Sequence, residues 1–105
     1  MRTGVLFQTV PTRVEVIEHT GHESLSRMSE WVTDLRSRGL VGSRTAFSAL
    51  LDAGEPVGRL HVGPGADALI TAGGHLVFRP ATSGYVGCLE VVDADRFHRE
   101  FQPLT

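Results

Sequence analysis

Residues 84–101, with the sequence GYVGCLEVVDADRFHREF, combine a strand pattern with the start of a helix, and this junction indicates the fold class. Residues 85–92 are rich in apolar and β-branched side chains, which predicts a strand. Asp93 is suited to cap a helix, and Phe97 and Phe101 have the i, i+4 spacing that places two rings on one helix face. A strand that leads directly into a helix shows that the chain combines both kinds of element, and the order of elements along the whole chain favours an α+β protein.

Working outward from this junction, residues 13–20 and 23–38 predict a strand followed by the longest helix. The first segment is rich in β-branched side chains, which favour strands. In the second segment apolar residues recur at helical spacing and would form one buried stripe. Gly39 then suits the position after the last helical turn. The stripe consists of Leu25, Met28, Trp31, Val32 and Leu35.

The middle of the chain predicts a second helix and then a series of strands. Ser43 is suited to cap a helix over residues 43–53, and Gly54 to end it. Glycine tolerates the positive φ of tight turns, so Gly73-Gly74 predicts a two-residue hairpin between the flanking strands. The predicted strands cover residues 57–62, 68–72 and 75–79.

Length and pattern together predict one domain spanning residues 1–105. A chain of this length buries about two-thirds of its unfolded surface, enough for one core. We expect an α+β domain with an antiparallel or mixed sheet of about five strands. One long helix and one or two short helices would pack on that sheet.

The amino-acid composition limits the cellular compartment and the kinds of binding partner that we expect. The net charge is −2 and all ten basic residues are arginine, so no basic stripe favours nucleic acid. Cys88 is the single cysteine, which fits a reducing compartment and excludes an internal disulfide. No apolar run approaches the ~18 residues of a spanning helix. We therefore expect a protein of the bacterial cytosol with no membrane partner and no cofactor.

The two ends of the chain carry a shared pattern of glycine, acidic and aromatic residues. The first end has the motif P-x-x-V-E followed by Thr20-Gly21, and the second has G-x-x-G-x7-D-x-F. These motifs resemble those of a family of small, uncharacterised tailed-phage proteins. The matching positions are Pro11, Val14, Glu15, Thr20, Gly21, Gly84, Gly87, Asp95 and Phe97, with Phe101 at a family aromatic and Gln102-Pro103 in place of Glu-Pro.

The resemblance covers the two ends only and has departures. Cys88 stands where the family has an acidic residue, and residues 40–65 have no counterpart in it. A phage or prophage origin is what the resemblance implies. It implies no catalytic residue.

Four basic side chains form the candidate ligand site. Arg59 and His61 are two residues apart in one predicted strand, and His75 and Arg79 share a face of another. Pairing of these strands would place two arginines and two histidines on one sheet face, which suits an anionic, nucleotide-like small molecule. The alternative is a solvated sheet face that binds nothing.

Two other sets of residues have weaker chemical signals. His19 and His22 have an H-x-x-H spacing, but turn and surface histidines explain it without a metal, and we predict no metal site. Cys88 lies inside a predicted strand, where a small buried side chain is the common role. No nucleophile elbow, phosphate loop or dinucleotide motif is present in the sequence.

Three functions fit these observations. The first is a non-enzymatic phage accessory protein that binds a host protein, as an inhibitor of host defence, or sequesters an anionic small molecule. The second is a small hydrolase that uses its histidines, and the third is a role in virion assembly or structure. We also expect a homo-oligomer that covers sheet edges or apolar faces, with Ile17 as a contact.

Overall fold

The computed structural model describes residues 14–63, 65, 67–80 and 87–101. Gly84 and the Pro11 end of the family motif lie outside these residues, as does the beginning of the predicted strand 85–92. The elements are β1 (Glu15–Glu18), α1 (His22–Ser37), β2 (Ala46–Asp52), β3 (Glu55–His61), β4 (Asp67–Ile70), β5 (His75–Arg79), β6 (Cys88–Val92) and α2 (Ala94–Glu100).

The strands form two antiparallel sheets. Sheet A has the order β1-β5-β6, and sheet B has the order β2-β3-β4. The α+β class is therefore confirmed, but the prediction of one sheet of about five strands is wrong. Helix α1 connects sheet A to sheet B, and the turn after β4 returns the chain to sheet A.

The main core lies between α1 and the two sheets. One face of sheet A contributes Leu76 and Phe78, and sheet B contributes Leu60 and Ile70. Trp31 of α1 is half-buried and meets Phe78 edge to face, with ring centroids 6.3 Å apart. The predicted stripe of α1 is confirmed, since four of its five members are buried: Leu25, Met28, Val32 and Leu35.

The opposite face of sheet A carries α2. Helix α2 begins as predicted, because the Asp93 carboxylate accepts a hydrogen bond from the Arg96 amide at 2.8 Å. The rings of Phe97 and Phe101 are stacked with centroids 4.9 Å apart, which also confirms the predicted pair. Sheet A thus has a helix on each face.

The predicted second helix over residues 43–53 is wrong. Residues 46–52 are β2, which pairs in unbroken register with β3 from Ala46↔His61 to Asp52↔Glu55. Ala53 and Gly54 both have positive φ, 51° and 82°, which is the requirement of a two-residue hairpin turn. Gly54 therefore closes a hairpin and does not end a helix.

The predicted hairpin at Gly73-Gly74 is also wrong. A tight turn is present, since Gly73 has a φ of 84° and the Gly74 amide donates to the Thr71 carbonyl at 2.8 Å. However, β4 pairs with β3, while β5 pairs with β1 and β6. The turn therefore connects the two sheets and does not join two paired strands.

Ile17 does not lie on an outer face. It is half-buried and packs against the main core, so the predicted outer-face position is wrong and gives no support to Ile17 as an oligomer contact. Its neighbour in register, Leu76, is fully buried on the same face of sheet A. Side chains that pair in register point to the same side of an antiparallel sheet, which explains the inward position of Ile17.

Candidate functional site

The four predicted site residues lie in two different sheets. Arg59 and His61 belong to β3 of sheet B, and His75 and Arg79 belong to β5 of sheet A. Because β3 and β5 do not pair, the single face of two arginines and two histidines does not form. Each pair keeps its own shared face, and ligand binding by these residues stays a prediction.

The β5 pair lies beneath α2 and begins with a buried histidine. His75 is 4% exposed, and its ring stacks on Phe97 with centroids 3.8 Å apart and an interplanar angle of 4°. Its Nε2 is 3.5 Å from a carboxylate oxygen of Glu18 on β1. Its Nδ1 has no hydrogen-bond partner within the described chain. His75 therefore packs mainly as an aromatic ring that holds α2 against sheet A.

Arg79 continues the same stack. Its guanidinium carbon is 5.6 Å from the ring centroid of Phe101, a cation–π contact. Its Nε donates to Glu90 on the neighbouring strand at 3.1 Å. The charge of Arg79 is therefore neutralised within the protein, which leaves it poorly suited to bind an anion from solution.

Glu90 is the centre of this ion-pair network. It accepts from Arg79 and from Arg96 of α2, while Arg96 also donates to Glu100 at 2.8 Å. Burial raises the pKa of Glu90, but the hydrogen bonds from Arg79 and Arg96 outweigh it, so that the pKa lies below its ordinary value. The hydrogen bond to Glu90 raises the pKa of Arg96. Both charges thus stabilise the docked helix.

The β3 pair lies on the outer face of sheet B. His61 Nδ1 is 2.5 Å from a carboxylate oxygen of Asp67 on β4, so its charge, when protonated, is paired. Arg59 is exposed and forms no ion pair with any described residue. It lies in register with Ser48 on one side and Leu69 on the other. Of the four predicted site residues, Arg59 is thus the cation that remains available to bind a partner.

Two exposed leucines flank Arg59 on this face. Leu69 is 51% exposed, and Leu50, diagonal to Arg59 on β2, is 38% exposed. We call this surface the sheet-B face, defined as the set of Ser48, Leu50, Arg59, His61, Asp67 and Leu69. Sequence reasoning missed both leucines. For Leu50 the reason is that a helix over residues 43–53 would place it on one face with Phe47 and Leu51, towards the core. The alternation of β2 residues in a strand was the signal that would have placed it outside.

His19 has a structural role. Its Nε2 lies 2.8 Å from the Pro56 carbonyl of sheet B, and its Nδ1 accepts from the Gly21 amide at 3.2 Å. These partners assign the proton to Nε2. His22 is exposed, and no cluster of three or more potential metal ligands occurs among the described residues. His19 therefore links β1 to sheet B.

A shallow groove runs between the two sheets. Its volume is about 350 Å³, and sheet B contributes Leu60 and Ala68 while sheet A contributes Leu89. Two carboxylates, Asp67 and Glu90, also line it. A groove with this lining has no free cation among its described residues and would repel an anion. Neither helix of the described part combines the length and apolar character needed to cross a bilayer.

Comparisons of this chain with protein-family models, with curated proteins and with solved structures find no match. The phage origin therefore stays a prediction from the sequence resemblance. The function is inferred from the contacts and exposure of the two sheets.

Proposed function

We propose that this chain is a small, non-enzymatic binding protein that docks a host protein on the sheet-B face. In this proposal it acts as a phage accessory protein, and inhibition of a host defence component is one form of that action. The observation that carries the proposal is an arginine between two exposed leucines on the outer face of sheet B.

The composition of the sheet-B face supports a protein partner. Leu50 and Leu69 supply apolar area, and Arg59 supplies five hydrogen-bond donors. Arginine with apolar neighbours is enriched at the centres of protein interfaces, where a partner excludes water from the contact. The partner that fits is a protein surface with apolar side chains around one carboxylate that pairs with Arg59.

The same geometry gives less support to a small anion. Binding such a ligand needs several cationic groups that converge, whereas Arg79 pairs with Glu90 and His61 pairs with Asp67. Arg59 alone offers one cation on an open surface. Sequestration of a nucleotide-like anion therefore remains the second form of the proposed binding function, and the hydrolase and virion alternatives stay predictions.

Affinity capture from host lysate tests the proposal. The full chain and its Leu69→Asp variant are each immobilised, and retained host proteins are identified by mass spectrometry. Leu69→Asp puts a charge into the centre of the proposed contact, so we expect a specific partner to be lost. The matched control is Val62→Asp, because Val62 is 45% exposed but lies beyond the end of β3.

Three results would decide the matter. A host protein retained by the wild type and by Val62→Asp, but lost with Leu69→Asp, supports the proposal. That protein must then bind the purified chain directly, with a carboxylate whose removal weakens binding as much as Arg59→Ala does. Equal retention by all three proteins, or no specific retention, contradicts it.

The small-anion form has its own test. Titration calorimetry with a panel of nucleotides compares the wild type with Arg59→Glu and Arg79→Glu. If a nucleotide binds, reversal of the exposed Arg59 should abolish binding, whereas reversal of Arg79 mainly breaks the pair with Glu90. Binding that survives Arg59→Glu would exclude the sheet-B face as an anion site.

A further inference from the structure

Strand β2 is an edge strand: helix α1 packs against it, but its residues Ser48 to Asp52 are exposed, and its sequence has few of the features that normally prevent association. No described strand pairs with its outer side, since sheet B has the order β2-β3-β4. Natural edges are usually blocked by lysine, proline, a bulge or a short strand. The β2 sequence AFSALLD has no lysine or proline, and its pairing with β3 runs without a bulge.

The hairpin geometry shows which amides face the open edge. A two-residue turn makes Asp52 and Glu55 the closing hydrogen-bonded pair, and hydrogen bonding then alternates along the strand. The amide and carbonyl groups of Phe47, Ala49 and Leu51 therefore point away from β3. Outside the sheet they form no backbone hydrogen bond with a described residue, so they can pair with another strand.

We propose that β2 pairs antiparallel with β2 of a second copy, centred on Ala49, to join two B sheets into one of six strands. In this register Ala49 faces Ala49 of the partner subunit. Phe47 faces Leu51 of the partner subunit, and the reverse pair forms by symmetry. All three outward residues of each strand are then hydrogen-bonded in a self-complementary interface.

The side chains fit this register on both faces of the joined sheet. Leu51 is 65% exposed, the largest value among the exposed large apolar side chains of the described residues. Phe47 is half-buried with its ring over Gly58, and Leu51 would pack against the part of the partner's Phe47 that stays exposed. In this register Asp52 lies opposite Ala46 of the partner subunit, and Arg44 of the partner subunit lies in the turn that leads into that strand. Asp52 and Arg44 are both exposed and form no ion pair with a described residue of their own chain, so the charges are complementary.

This inference deepens the proposed function without depending on the same side chains. The two sheet-B faces would become one continuous surface that presents Arg59 and Leu69 twice. A partner with two matching sites would then bind with increased avidity. Loss of the dimer leaves each single face intact, so the two proposals can fail separately.

Register-specific crosslinking tests the interface. Sedimentation equilibrium of the full wild-type chain should first give twice the monomer mass. Ala49→Cys and Leu51→Cys are then made separately in a Cys88→Ser background, since Cys88 is exposed. Across the proposed axis the two Ala49 Cα atoms are about 5.5 Å apart, whereas the two Leu51 Cα atoms are about 14 Å apart.

A disulfide forms only when the Cα atoms lie within about 7 Å. We therefore expect Ala49→Cys to crosslink at least about tenfold faster than Leu51→Cys under mild oxidation. Far-ultraviolet circular dichroism confirms that both variants are folded. A monomeric wild type, or equal crosslinking by the two variants, would overturn the proposal of a β2 dimer. The affinity capture of a host protein tests the sheet-B face separately and would keep its own outcome.

Discussion

Sheet A and sheet B have equal numbers of described strands, but sheet A is covered on both faces, whereas sheet B is covered by the core on one face only. Sheet A lies between α1 and α2, and its strand β5 is buried along His75–Phe78. In sheet B the strand β2 is exposed from Ser48 to Asp52. Ion pairs and stacked rings fill the face of sheet A beneath α2, whereas the sheet-B face exposes leucines and one arginine that forms no ion pair with a described residue. The difference separates the residues that maintain the fold from those available for binding.

The same substitution in the two sheets gives the largest expected contrast. Leu76→Ala removes a fully buried side chain and should lower the free energy of unfolding by about 3 kcal/mol. Leu69→Ala removes an exposed one and should change it by less than about 0.5 kcal/mol. Urea unfolding measures both. Similar losses would mean that Leu69 is buried in solution, and the exposed sheet-B face would then be wrong.

A glycine next to sheet A gives the second contrast. A Cβ at Gly87 would lie 2.7 Å from a Phe78 ring carbon and 2.8 Å from the Leu40 carbonyl oxygen. Because a backbone atom cannot move aside easily, Gly87→Ala should lower the free energy of unfolding by about 2 kcal/mol. At Gly63, after β3, a Cβ would meet nothing within 4 Å. Gly63→Ala is thus the matched control, and a harmless Gly87→Ala would show that this corner is loosely packed.

The parts of the fold that follow from local pattern could be predicted from the sequence. Helix α1 was expected over residues 23–38 and occupies His22–Ser37, because a long apolar stripe has few other solutions. The cap at Asp93 and the ring pair of α2 are equally local. These features depend on residues that are near one another in the sequence.

The parts that failed depend on distant pairing or on ambiguous spacing. The spacing of Phe47, Leu50 and Leu51 fits one face of a short helix but also fits a strand. The two-residue turn at Ala53-Gly54 pairs the segment with β3, so it forms a strand. The candidate site failed for a related reason. A turn before His75 suggested pairing with the preceding strand, but β5 pairs with β1 and β6, which no local signal reveals.

The ion-pair network of sheet A predicts a pH-dependent contribution to stability. Glu90→Gln removes the carboxylate that joins Arg79 to α2. With allowance for the partial exposure of Glu90, the substitution should lower the free energy of unfolding by about 1 kcal/mol near neutral pH. Because the pKa of Glu90 is lowered on folding, its contribution is complete above the unfolded-state pKa. The contribution is lost as the pH falls through the folded-state pKa.

Urea titrations at a series of acidic pH values measure this effect. The curves of the wild type and Glu90→Gln should converge at low pH. Glu100→Gln is the control, since Glu100 is half-exposed and pairs with Arg96 alone, and it should behave as the wild type does. A gap between wild type and Glu90→Gln that persists at low pH would assign the effect to packing and not to charge.

The smallest expected effect on stability concerns the two leucines of the β2 hairpin. Leu50→Thr and Leu51→Thr exchange exposed apolar side chains for a β-branched residue that favours strands, so each should change the free energy of unfolding by less than about 0.5 kcal/mol. Leu51→Thr should nevertheless weaken the sedimentation dimer, because Leu51 packs on the partner's Phe47 in the proposed interface. Where threonine gives the same free energy of unfolding as leucine, the leucine is not needed for folding. Its presence then points to a contact outside its own chain. If Leu51→Thr instead destabilised the fold at every protein concentration, its exposed position would be wrong, and sheet B would need the leucine for folding as sheet A needs Leu76.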